Sequence, residues 1–216
     1  MKNYKLIGFD MDGTLCRFVS LFDEVFDQAF AIKKSVVSDV WMAAISANCV
    51  RTGIEAVHAI MSNISQTEAQ QQLTNFSNLW AQNQRLFDGV VPMLKNLKAS
   101  GAKLTLITNG PSFMQHAVID HLGIRDCFDT AFASGDEILG INKPNPACFD
   151  RVAQLMNVDA KDCLFIGDGE VNDYQGVQSV GWDALWVKPC NDQSQPKLND
   201  LTASAGQKSP YVMSWS

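Results

Sequence analysis

Phe9-Asp10-Met11-Asp12-Gly13-Thr14-Leu15 closes a short apolar run, Tyr4-Lys5-Leu6-Ile7-Gly8-Phe9, that reads as a buried strand. Two aspartates one residue apart come where that strand ends, and Gly13-Thr14 turns the chain away. Carboxylates gathered at the end of a buried strand are costly to desolvate. Such a cluster is kept where a cation or a reaction offsets that cost. In a parallel sheet this end of the strands is also where ligands bind. The stretch therefore predicts a parallel sheet and the edge on which its chemistry lies.

Working outward, the segment from Cys16 to about Asp88 changes character. Apolar residues recur there at helical spacing, as in Phe22, Val25, Phe26, Ala29 and Phe30, or Leu73, Phe76, Leu79 and Trp80, and no strand pattern interrupts them. That spacing predicts a small bundle of about four helices. Beyond Leu86-Phe87-Asp88-Gly89, strands alternate with helices. Strands are expected at 103–107, 130–133, 163–166 and 184–187, and helices at 91–100, 112–122 and 145–156. This alternation predicts an α/β fold with a parallel sheet covered by helices on both faces. Residues 1–15 and 89–216 are expected to form that core, with residues 16–88 as the insertion. The polar tail after Pro189 suggests only a short helix around Leu198 and Leu201 and an edge strand at Tyr211-Val212-Met213.

The bulk composition narrows the partners. The chain has 216 residues, enough for one domain with an inserted subdomain. Its 46% hydrophobic content sustains a sizeable core. A net charge of −6 argues against nucleic acid or an anionic membrane, which require a basic surface. No run is long enough to cross a bilayer, and no apolar signal core follows Lys2 and Lys5. A cytoplasmic protein is expected. The six cysteines (Cys16, Cys49, Cys127, Cys148, Cys163 and Cys190) include no C-x-x-C pair and read as free buried thiols.

The candidate site residues sit where strands end. Asp10 and Asp12 follow the first strand, and Thr108 and Asn109 the second. Lys143, in Asn142-Lys143-Pro144-Asn145-Pro146, precedes a helix, and Asp168 and Asp173 lie in Gly167-Asp168-Gly169-Glu170-Val171-Asn172-Asp173. Carboxylates such as Asp10 and Asp168 suit a hard divalent cation, and Mg²⁺ fits a site of few carboxylates, waters and a phosphate. Lys143, the Thr108 hydroxyl and the Asn109 amide supply positive charge and donors for phosphoryl oxygens.

The ordered set FDMDGTL, TNG, KPNP and GDGEVND resembles the four motifs of the haloacid dehalogenase-like hydrolase superfamily, whose members are mostly phosphatases. The insertion after the first motif resembles the cap of its helical-cap subfamily. The resemblance covers residues 4 to 187 and implies a Rossmann-like core. It implies a Mg²⁺-dependent phosphomonoester hydrolase acting on a small soluble metabolite through an aspartyl-phosphate. On that resemblance, Asp10 would be the nucleophile, and Asp12 would protonate the leaving oxygen and then activate water. Thr108, Asn109 and Lys143 would hold the phosphoryl group, with Lys143 also orienting Asp10. Asp10, the Asp12 backbone carbonyl and Asp168 would bind the metal, and Asp173 would contact a metal-bound water or Lys143.

Rival readings remain at this level. A phosphomutase keeps all four motifs, and a non-catalytic protein that binds phosphometabolites or regulates is the rival from another class. A dehalogenase needs no proton for an oxygen leaving group and so has no use for Asp12. Thr108-Asn109-Gly110 and the cap length are similar to nucleotidase-like members, and phosphoglycolate phosphatases are also similar. A small-molecule phosphate ester as partner and a monomer or homodimer are expected. Glu170 reads as facing water, Arg17 as exposed or reaching a second anionic group, and His58, His116 and His121 as packing residues.

Overall fold

The computed structural model describes residues 3–47, 53–189 and 211–213. β1 (Leu6–Phe9) is buried at all four positions, so it needs a strand on each edge and helices on each face. It pairs in parallel with β4 (Lys103–Thr108) on one side and with β6 (Cys163–Gly167) on the other. β5 (Thr130–Ala133) extends the sheet beyond β4, and β7 (Asp183–Pro189) and β8 (Tyr211–Met213) extend it beyond β6. The described residues thus form a six-stranded parallel sheet in the order β5-β4-β1-β6-β7-β8. Phe9 lies opposite Leu106 and Ile166, so Asp10, Thr108 and Asp168 emerge nearly level at one edge.

Side chains alternate across the sheet as the two-residue strand period requires. Ile7 and Phe9 join Leu104, Leu106, Leu164 and Ile166 beneath α5 (Val90–Ala99) and α6 (Ser112–His121). Leu6, Ile107 and Phe165 face the other way, against Phe149, Val152 and Met156 of α7 (Pro146–Met156). Asn145 caps α7 by accepting from Ala147 N–H at 3.0 Å, with Pro146 in the first turn.

The insertion holds α1 (Phe22–Phe30), α2 (Lys34–Ala47), α3 (Ile54–Ile60) and α4 (Gln66–Gln82). Phe26, Trp41 and Phe76 form the middle of a third apolar cluster. Ser65 and Glu68 make a reciprocal capping box at the start of α4. No helix among the described residues is long and apolar enough to cross a membrane.

Two features depart from the sequence reading. β2 (Cys16–Phe18) and β3 (Gln84–Leu86) pair antiparallel into a two-stranded ribbon where no strand was expected. Three-residue strands are too short to display a period. On α6, the helix expected at 112–122, helical spacing would put Phe113 on the same side as Val118. Val118 packs into the sheet cluster, but Phe113 and Met114 join the cluster of the insertion. Tyr211–Met213 is a strand, as expected, whereas Leu198, Leu201, Cys49 and Cys190 lie outside the described residues.

Candidate active site

Asp10, Asp12, Thr108, Asn109, Lys143, Asp168 and Asp173 line one cavity of about 270 Å³, together with Gly169 and Asn172. Residues drawn from four separate stretches of chain therefore meet at the C-terminal edge of the sheet. Lys143 is their hub. Its ammonium group is buried and donates to Asp10 Oδ1 and to Asp173 Oδ1, each at 2.7 Å. Burial alone would push this lysine down, but Asp10 and Asp173 hold it above its usual range, so it stays a cation. Phe165 lies beneath it, with the ring centroid 5.0 Å from Nζ.

Lys143 reaches the floor because its loop is clamped. Asn109 Nδ2 donates to the Lys143 carbonyl and Asn109 Oδ1 accepts from the Lys143 N–H, each at 2.8 Å. The side chain expected to offer a donor to phosphoryl oxygens therefore spends most of its hydrogen-bonding capacity on backbone. Only the second Nδ2 hydrogen is left for the cavity. Thr108 is buried on the cavity wall, and its carbonyl accepts from Ser134 N–H at 2.8 Å.

Asp168 and Asp173 are oriented by backbone and by Thr14. The Thr14 hydroxyl accepts from Asp168 N–H at 3.0 Å and lies 3.1 Å from Asp168 Oδ1 and 3.2 Å from Asp10 Oδ2. Asp173 Oδ2 accepts from Gly169 N–H at 2.8 Å, and Trp186 Nε1 donates to the Asp168 carbonyl at 2.8 Å. Gly13 adopts φ +82°, and a Cβ there would come within 2.3 Å of Asp168 Oδ2. Only glycine lets the first motif close onto the fourth.

Asp10, Asp168 and Asp173 each offer a carboxylate oxygen within 4.8 Å of the others. Burial pushes all three upward, and the neighbouring carboxylates add to the shift. Four carboxylates face one lysine here, counting Asp12. This excess of hard, negative oxygen donors fits a divalent cation such as Mg²⁺. Asp12 itself is pushed up to about 6, mainly by burial and then by the charge of Asp10, while a hydrogen bond from Gln115 draws it back.

The sequence reading singled out seven residues, and the structure gathers all seven. It missed Thr14, Trp186, Gln84 and Gln115, whose roles arise from contacts across the fold. Thr14 alone carried a signal, since it belongs to the first motif. Arg17 pairs with Arg85 across the ribbon, one residue out of phase with Cys16 and Gln84, which face Asp12. Its guanidinium lies 5.8 Å from the centroid of the Phe87 ring. Glu170 accepts from Gln175 at 3.3 Å in a π-helical turn, Glu170–Gln175. His116 pairs with Asp136 at 2.9 Å, away from the cavity.

Known proteins resemble this chain in sequence and in fold. The family model for haloacid dehalogenase-like hydrolases matches residues 4–181. A phosphoglycolate phosphatase of Colwellia psychrerythraea is 25% identical over 201 residues, covering 86% of this chain and 84% of that one. A pyrimidine 5'-nucleotidase of Escherichia coli is 28% identical over 206 residues, covering 88% of each. A glyceraldehyde 3-phosphate phosphatase of Pyrococcus abyssi is 34% identical, over 46% of this chain and 41% of its own. Among solved structures, a 2-haloacid dehalogenase of Pseudomonas syringae has a TM-score of 0.65 at 23% identity, with 85% and 86% coverage, a likeness of fold. With its four motifs gathered at one sheet edge and the family model matching most of its length, the chain belongs to the haloacid dehalogenase-like hydrolases.

Proposed function

We propose that this protein is a phosphatase that hydrolyses the phosphomonoester of a small soluble metabolite through an aspartyl-phosphate, with Mg²⁺. The observation that carries the reading is a single one. Asp10, at the floor of the cavity, is held by a buried lysine at 2.7 Å and has the Asp12 carboxyl two residues away.

The chemistry follows from these positions. Lys143 fixes Asp10 and keeps a positive charge next to the entering phosphoryl group. An Asp10 oxygen forms a bond to phosphorus as the ester oxygen leaves, and Asp12 gives that oxygen its proton. Asp12, now a carboxylate, takes a proton from water as that water attacks the aspartyl-phosphate. Inorganic phosphate leaves, and Asp10 and the protonated Asp12 are restored. Asp10, Asp168 and the Asp12 carbonyl would hold the cation, which supplies neutralisation of phosphoryl charge. Thr108 and Asn109 line the wall where phosphoryl oxygens would lie, and Asp173 keeps Lys143 in place.

Residues 16–88 act in this reading as a cap over the core formed by residues 1–15 and 89–216. The relatives named for phosphoglycolate and for pyrimidine nucleotides support small phosphorylated metabolites as the substrate class. The four cysteines among the described residues are buried and free, which agrees with a reducing compartment, the cytoplasm.

The test is hydrolysis of p-nitrophenyl phosphate with and without Mg²⁺, by wild type and Asp10→Asn together. Turnover should require the metal, and the substitution should lower kcat by about 10³-fold or more while the fold is retained. Undiminished turnover by Asp10→Asn would remove Asp10 as nucleophile. Phosphoglycolate and the nucleoside monophosphates then form the first substrate panel.

A further inference from the structure

Asp12 is gripped from two sides by side chains that no motif contains. Gln84 Nε2 lies 3.2 Å from Asp12 Oδ1, and Gln115 Nε2 lies 3.3 Å from Asp12 Oδ2. Both glutamines are buried, at 1% and 6% exposure, so neither amide is there by solvent chance. Gln115 is itself fixed, because Nε2 also donates to the Asn109 carbonyl at 2.8 Å. Gly110, at φ +145°, leaves room for it, since a Cβ there would come within 2.5 Å of Gln115 Nε2. The two glutamines come from opposite sides of the molecule's seam. Gln115 belongs to α6 of the core, and Gln84 to β3, the strand by which the chain returns from the helical insertion.

The Oε1 atoms of both glutamines are buried without a hydrogen-bond partner. Leaving two buried amide oxygens unpaired is costly. A packing role alone would be served better by methionine or leucine. Amides suit a carboxyl group that must change its protonation state. An amide nitrogen donates to the carboxylate, and an amide oxygen can accept from the acid O–H.

We infer that Gln84 and Gln115 are the positioning residues of Asp12, aiming its carboxyl at the leaving oxygen. The inference rests on the proposed role of Asp12 as proton donor. Neither glutamine lines the cavity, and both act through Asp12.

The test compares two substrates that differ in their need for a proton. p-Nitrophenolate leaves readily without protonation, whereas the alkoxide of an alkyl phosphate does not. Wild type, Asp12→Asn, Gln84→Met and Gln115→Met are assayed on p-nitrophenyl phosphate and on an alkyl phosphate. The readout is the ratio of the two kcat/KM values, which reports the steps up to departure of the leaving group and does not depend on the fraction of folded enzyme. Each methionine variant should lower the alkyl-to-aryl ratio about tenfold, with KM changed far less than kcat. Asp12→Asn should lower the ratio further. If Asp12→Asn lowers the ratio and neither methionine variant does, the positioning role is overturned while the catalytic reading stands. If Asp12→Asn leaves the ratio unchanged, the proton-donor reading fails and the inference fails with it. A structural role alone would reduce both rates together and leave the ratio at the wild-type value, which also overturns the proposal.

Discussion

At the scale of single residues, the site is organised by groups whose value comes from burial. Thr14 is fully buried, and its hydroxyl joins Asp10 to Asp168 while satisfying the Asp168 N–H. Thr14→Val keeps the shape and removes these bonds. It should lower stability by about 1–3 kcal/mol, because a buried N–H loses its acceptor. Urea unfolding checks this, and a midpoint equal to wild type would mean that the hydroxyl contributes nothing. The identities of Asp10, Asp12, Thr108, Lys143 and Asp168 could be read from the chain because each lies within a short motif. The amide grip on Asp12 could not, since Gln84 and Gln115 are ordinary residues until the fold brings them to one carboxyl group.

At the scale of elements, α6 joins the layers of the molecule. Val118 and Ile119 bury its length against the sheet, while Phe113 and Met114 at its start pack into the helical insertion. The start of α6 is also tied to the loop after β5 through Asp136. That carboxylate accepts from Ser112 at 2.5 Å, from Ala133 N–H at 2.8 Å and from His116 at 2.9 Å. Burial pushes Asp136 upward, but the bonds from His116, Ser112 and the Ala133 N–H outweigh it and hold it below the usual carboxylate range. A group depressed in the folded state stabilises above its unfolded pKa and loses that contribution as pH falls through its folded pKa. The unfolded value is about 3.9. The stability difference between wild type and Asp136→Asn should therefore stay constant above about pH 5 and shrink progressively below about pH 4. A difference independent of pH across that window would show that the carboxylate charge plays no part.

At the scale of the whole molecule, an acidic chain must accept an anionic substrate. The net charge of −6 repels phosphate at long range, so binding has to come from local groups such as the buried lysine at the cavity floor and, in the proposed reading, a cation held by the carboxylates beside it. Removal of divalent metal with EDTA should abolish turnover, and added Mg²⁺ should restore it. Turnover that persists in EDTA would count against metal dependence. The insertion is linked to the core by the β2–β3 ribbon and rests on α6 through α4. If its helices close over the site and open for release, a short cross-link between α4 and α6 should stop multiple turnovers while leaving the fold unchanged. Full activity in the cross-linked protein would rule out that motion.

The sequence by itself determined the parallel sheet, the run of helices that follows its first strand, and the sheet edge at which the candidate site residues gather. These are local signals: runs of apolar residues, their period, and polar residues placed where each run ends. Only the tertiary structure decided the β2–β3 ribbon, the two faces of α6, the clamp of Asn109 on the Lys143 loop and the two amides on Asp12. Each of these depends on a pairing between segments distant in the chain, such as Asp12 with Gln115 or Lys143 with Asp173. Such pairings leave no periodic trace, because a buried polar side chain is defined by the partner the fold brings to it.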